Sequence, residues 1–215
     1  MRMRKKKNCS QRMENCGALW VREPEALRGK WHELFGNGNP VHIEIGCGKG
    51  QFLTELAAQN PDVNYVGIDV VPDVLVLALE KAVRRGNGNL RFMIGDAARL
   101  LEYFAQGEAE RIYLNFSDPW KKNKQAKRRL THQNFLQLYK RLLKNGDWIY
   151  FKTDNRPLFE FSLNSFAAAN FKMQNITLDL HHSNYEGNIM TEYEARFVEQ
   201  GLPIYRLEAT YLGWE

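Results

Sequence analysis

The chain has 215 residues, with 30 Lys or Arg against 25 Asp or Glu and a formal net charge of +5. That length and an ordinary globular composition suit one domain, and no apolar run approaches the roughly 20 residues a membrane helix needs. Cys9, Cys16 and Cys47 form neither a CxxC pair nor a zinc set, so no disulfide framework and no metal site are expected.

In chain order, the first feature is charge. Residues 1–12 hold six basic side chains (Arg2, Arg4, Lys5, Lys6, Lys7, Arg12) and no acid. No apolar h-region follows them, so the reading is of a basic, flexible tail over 1–18, no secretory signal and a cytoplasmic location. Residues 19–215 are read as a single domain.

Val41–Ile45 is a short strand of β-formers ended by Gly46, and Gln51–Gln59 has helical apolar spacing. A strand over Asn64–Ile68 leads to Asp69, and Pro72 opens a helix that runs to Arg85. Strand Leu90–Ile94 ends at Gly95-Asp96-Ala97, ahead of a helix near Ala98–Gln106. Strand Arg111–Phe116 runs into Ser117-Asp118-Pro119-Trp120. Residues 121–129 then carry six Lys or Arg and no acid, leaving 18 basic and 25 acidic residues in the chain outside the two basic segments. Such a strip suits backbone phosphates, and Trp120 offers a face for base stacking. Thr131–Leu143 is a periodic helix. Strand Trp148–Lys152 ends at Thr153-Asp154, and Leu158–Ala169 reads as helix. Phe171–Leu180 and Leu207–Trp214 alternate and are expected to pair antiparallel.

Alternating strands and helices predict an α/β, Rossmann-like fold: a mostly parallel seven-stranded sheet, an antiparallel C-terminal strand and helices on both faces. Ligands bind such sheets beyond the strand C-termini. Gly46, Asp69, Asp96, Asp118 and Asp154 all fall there.

Glu44 precedes a GxGxG loop, Gly46 to Gly50. A dinucleotide loop reads GxGxxG and cradles a pyrophosphate, which Glu44 would repel. A cationic, phosphate-free nucleoside cofactor fits better. S-adenosylmethionine has that character, with Asp69 placed for ribose hydroxyls and Asp96 for the adenine amine.

Here the chain resembles the class I S-adenosylmethionine-dependent methyltransferases. Asn115-Phe-Ser-Asp-Pro-Trp, the basic run ending Lys127-Arg-Arg-Leu-Thr131, Lys152-Thr-Asp154 and Thr191-Glu-Tyr-Glu194 resemble the bacterial tRNA (guanine-N7-)-methyltransferase family, TrmB, from about Leu19 onward. The resemblance implies methyl transfer to N7 of guanine-46 in the tRNA variable loop, with S-adenosylhomocysteine as product. It implies a cofactor site of Glu44, Gly46, Asp69, Asp96, Ala97 and Asp118. It implies RNA contacts by Lys122, Lys124, Lys127, Arg128, Arg129, Asp154, Thr191, Tyr193 and Glu194. The partner is tRNA, with no membrane or metal, and the chain is a monomer or homodimer. Lys121 and Gln125 stand where the family usually has proline and histidine, which predicts a more mobile loop.

Guanine N7 has a lone pair and no proton, so Asp118 is assigned charge stabilisation and positioning, not proton abstraction. Asp154 and Glu194 are candidate acceptors for the guanine N1–H and N2 amine. Asp154 also reads as a helix cap, and Thr191–Glu194 as a capping box. The alternatives are methylation of an exocyclic amine of another RNA base, an NAD-dependent oxidoreductase and a non-catalytic RNA-binding module.

Overall fold

A computed structural model describes residues 5–213. Arg2 and Arg4 of the basic tail, and Trp214 of the last expected strand, lie outside the described residues. In chain order the elements are α1 (Cys9–Glu14), β1 (Trp20–Val21), α2 (Trp31–Phe35), β2 (Val41–Ile45), α3 (Gln51–Gln59), β3 (Asn64–Asp69), α4 (Pro72–Arg85), β4 (Leu90–Ile94), α5 (Leu100–Tyr103), β5 (Arg111–Asn115), α6 (Gln133–Leu142), β6 (Trp148–Thr153), α7 (Arg156–Ala168), β7 (Lys172–Thr177), α8 (Glu192–Val198) and β8 (Tyr205–Thr210).

The strands form one sheet in the order β1-β4-β3-β2-β5-β6-β8-β7. β1 to β6 pair in parallel, and β8 runs antiparallel to both β6 and β7. The seven expected strands are present. The eighth is the edge strand β1, where Trp20 and Val21 pair with Phe92 and Met93. Two residues are too few to show a period-2 pattern in the sequence.

All five residues of β2 are buried, as a central parallel strand covered on both faces requires. One core packs Trp31, Ile43, Ile112, Leu136, Tyr139, Phe151 and Phe159. The other lies under α3 and α4 and packs Phe52, Leu53, Tyr65, Leu75, Leu79 and Phe92. Gly50, at φ +71°, lets the loop enter α3 against α4: a Cβ there would sit 2.7 Å from that of Ala78. The helix expected over Ala98–Gln106 is shorter, a 3₁₀ turn at Ala97–Arg99 followed by α5, which Phe104 ends in extended conformation.

Within the segment read as a flexible tail, α1 is folded against α4. Met13 is buried, and Arg12 binds Glu80 through Nε and Nη2 at 2.7 and 2.8 Å. One of the six N-terminal basic charges is therefore committed to an acid of the same chain.

Candidate active site

The glycine loop turns tightly off β2. Gly46, Gly48 and Gly50 all have positive φ, and the Gly46 and Cys47 amides donate to the Ile68 carbonyl at 2.8 and 3.1 Å. Asp69 at the end of β3 clamps the loop, accepting from Gly48 N–H and from Val71 N–H, each at 2.9 Å. Beside the loop is a cavity of about 250 Å³, walled by Glu44, Gly46, Asn115, Phe116, Thr191 and Tyr193 among others.

Glu44 is 2% exposed. Its Oε1 accepts from Asn115 Nδ2 at 2.7 Å, and its Oε2 is buried without a partner. Burial raises its carboxyl to about 8, opposed by the Asn115 bond and the Lys152 charge. A buried acceptor left open beside a glycine cradle calls for a cation or donor from a ligand. The ammonium and sulphonium of S-adenosylmethionine meet that need, and the group carries no phosphate for Glu44 to repel.

The expected rim is present, because the strands carrying it are parallel. Asp69 is half-buried, and burial raises its pKa. Asp96 is exposed and caps the following turn, accepting from Ala98 N–H at 2.9 Å, while Ala97 is buried. Asp118 is exposed beyond β5, close enough to Asp69 and Tyr193 to raise the pKa of both. These four residues line the rim beside the cavity and do not form its wall. At β6, Asp154 is half-buried with no side-chain partner among the described residues, and burial raises its pKa. It is not the cap of α7, because Asn155 accepts from Leu158 N–H instead, at 2.9 Å.

Thr191 and Glu194 form the expected capping box of α8. The reading of Glu194 as a base acceptor is corrected by its surroundings. Its side chain is fully buried and accepts from Lys152 Nζ at 2.6 Å, Asn188 Nδ2 at 2.8 Å and Thr191 N–H at 3.2 Å, with His181 Nε2 at 2.9 Å. No lone pair remains for a nucleobase. Lys152 spends its other two protons on Asn188 Oδ1 and the Ile189 carbonyl, and burial lowers its pKa. This buried pair fixes the 188–194 segment over the cavity, helped by Glu192, which meets Lys49 at 3.1 Å and Lys81 at 2.5 Å.

Two further contributors are Phe116 and Lys152, and only Phe116 carries no obvious signal. Phe116 takes φ +51°, a strained value for a bulky residue, held by its amide on the Lys152 carbonyl at 2.9 Å. That twist brings its ring to 5.4 Å from the ring of Tyr193, which is 48% exposed. Lys152 had a visible mark: a cation ending the otherwise apolar run Trp-Ile-Tyr-Phe.

The basic strip divides in two. Lys121, Lys122, Lys124, Lys127 and Arg128 are exposed, along a 3₁₀ turn at Asn123–Arg128. Arg129 instead reaches back to the carbonyls of Pro119 and Trp120, at 3.0 and 3.1 Å, and lies 4.3 Å over the Phe161 ring. Next to Lys121, which stands where the family usually has proline, these two bonds tie Arg129 to the turn. Arg128 lies 4.8 Å over the Trp120 ring, so one face of that ring is already covered.

The fold, the glycine loop after the first central strand and the acid after the second define a Rossmann-like class I methyltransferase. Solved structures agree on the fold. The 16S rRNA methyltransferase KamB superposes with a TM-score of 0.64 at 14% identity, over 86% of this chain and 94% of its own. An antibiotic-resistance methyltransferase, Kmr, gives 0.57 at 20%, over 85% and 92%.

A family described as "Putative methyltransferase" matches residues 38–207. The tRNA (guanine-N(7)-)-methyltransferase of Listeria monocytogenes is 52% identical over 98% of this chain and 99% of its own length, and that of Streptococcus equi is 50% identical over 98% and 100%. The chain belongs to the tRNA (guanine-N7-)-methyltransferase family and is an S-adenosylmethionine-dependent enzyme. Among the described residues no helix is long and apolar enough to cross a membrane, and no His, Cys, Asp and Glu cluster could hold a metal ion.

Proposed function

We propose that this chain methylates N7 of guanine-46 in the variable loop of tRNA, as a cytoplasmic enzyme. The observation that carries the reading is the setting of Tyr193. Its half-exposed ring stands at the cavity mouth, with the carboxylates of Asp118 and Asp154 both close enough to raise its pKa, behind the larger effect of burial.

S-adenosylmethionine, when bound, supplies a methyl group activated by sulphonium. Glu44 and the glycine loop hold that cationic end. N7 brings its own lone pair, so no side chain has to remove a proton. What the reaction asks of the protein is alignment and compensation for positive charge gathering on the purine. Asp118 and Asp154 favour that charge more in the methylated base than in neutral guanine, which is the differential binding catalysis requires. Asp154, left free because Asn155 caps α7, accepts from guanine N1–H and the N2 amine. Adenine lacks both donors. Tyr193 and Phe116 offer faces to a base drawn out of its stack. The exposed Lys122, Lys124 and Lys127 hold the surrounding backbone.

The test is incubation with labelled S-adenosylmethionine and unmodified tRNA, digestion to nucleosides and identification of the labelled one. N7-methylguanosine is expected, and its loss when guanine-46 is replaced. Label on an exocyclic amine, or retained in the replaced tRNA, contradicts the proposal.

A further inference from the structure

Side chains alternate across β5, β6 and β8 with an unusual result. One face is apolar: Ile112, Leu114, Ile149, Phe151, Leu207 and Ala209 are all buried in the core under α6 and α7. The opposite face carries Arg111, Tyr113, Tyr150 and Arg206, and with Tyr185 they wall a second cavity of about 200 Å³. Phe52 and Asn115 wall both this cavity and the cofactor cavity, forming a partition between two compartments.

The charges in this second compartment do not balance. Arg206 is paired with Glu208, and Lys152 with Glu194. Arg111 has no acidic partner among the described residues. Its Nε is buried without an acceptor, and its Nη1 makes only a 3.5 Å contact with the Tyr113 hydroxyl. Its guanidinium lies 4.6 Å over the Tyr150 ring, and burial works against its charge. Beside it, His42 is neutral, lowered to about 3 by burial and then by the Arg111 charge. The hydroxyls of Tyr150 and Tyr185 make no hydrogen bond within the protein among the described residues, so both are free to donate.

A half-buried guanidinium without a counter-charge is costly unless something supplies the anion. Phenol donors lining the same cavity and a planar guanidinium match a phosphoryl group, which arginine binds through two parallel N–H bonds. We propose that this cavity is a second ligand site, separate from the methyl-transfer centre, that binds a phosphoryl group on Arg111 with Tyr150 and Tyr185 as further donors. Either a free phosphate monoester or an RNA backbone phosphate has this chemistry.

The experiment uses the full chain and follows the arginine Nε–Hε signals by 15N NMR during titration with inorganic phosphate at constant ionic strength. One signal, missing from Arg111→Met, should move and saturate. Tyr185→Phe should weaken that binding at least about tenfold through loss of one hydrogen bond to a charged group, which keeps the test valid if Arg111→Met does not fold. Displacement of phosphate by tRNA identifies an RNA backbone phosphate as the occupant. Undisturbed phosphate binding in saturating tRNA identifies a free monoester. No saturable movement, or movement that follows protein concentration and not phosphate, overturns the proposal. The latter result would make this face a contact between two copies.

Discussion

The Lys152 ammonium and the Glu194 carboxylate lie 2.6 Å apart, with side chains 6% and 0% exposed, joining the end of β6 to the start of α8. Removing one partner of such a pair leaves an uncompensated buried charge, at a cost of about 3–5 kcal/mol. Glu194→Ala should therefore lower unfolding free energy by about that much in urea titration. Cofactor affinity should fall with it, because the 188–194 segment loses its anchor above the cavity. A Glu194→Ala chain of normal stability that loses only RNA affinity would return Glu194 to the substrate.

Glu44 makes cofactor binding depend on pH. Burial raises its carboxyl from 4.5 to about 8, so at neutral pH the free protein holds it largely protonated. A bound cation favours the ionised form, so affinity for S-adenosylmethionine should rise with pH, by up to about tenfold per unit, and level off above about 8. Calorimetry in buffers of different ionisation enthalpy should detect proton release on binding. Glu44→Gln should flatten the profile. A profile unchanged in that variant would assign the titration elsewhere, Asp69 being the nearest other acid with a raised pKa.

The stability of the free protein runs the other way. A carboxyl raised in the folded state takes up a proton on folding. Its contribution is complete below the unfolded value near 4.5 and is lost as pH rises towards about 8. Thermal melts of the cofactor-free chain should show this loss, and Glu44→Gln should lack it.

Asp118→Asn keeps the shape of the side chain and removes the charge. Turnover should fall at least about tenfold, equivalent to about 1.4 kcal/mol, with little change in cofactor affinity. Single-turnover kinetics beside calorimetry separates the two effects. Lost cofactor affinity with unchanged single-turnover rate at saturating cofactor would place Asp118 in cofactor binding alone.

The two parts of the basic segment should respond differently. Lys124→Ala with Lys127→Ala should weaken tRNA binding and lower the slope of log affinity against log salt by about one for each phosphate no longer neutralised. Arg129→Ala should instead loosen the Asp-Pro-Trp turn, because it removes two bonds to the carbonyls of Pro119 and Trp120. The expected result is about 1–3 kcal/mol of stability lost and a slower methyl transfer, with a smaller change in salt slope.

Sequence alone determined the rim and the cradle, because both are local. A run of β-formers places Glu44 on a strand, the glycines mark the turn after it, and an acid follows each of the next four strands within a few residues. Parallel pairing then puts them on one edge. Tertiary structure alone decided which polar groups remain free to act. Glu194 is taken by Lys152, 42 positions away in the chain, and Arg129 by carbonyls ten and nine positions back. Asp154 is released because its neighbour Asn155 takes the capping bond. Whether a charged side chain serves the fold or a ligand depends on the donors and acceptors that meet it, and only the folded chain selects them. Arg111 makes the same point: one arginine opening a strand means little until the folded sheet sets it over the Tyr150 ring with its Nε buried and no acceptor for it among the described residues.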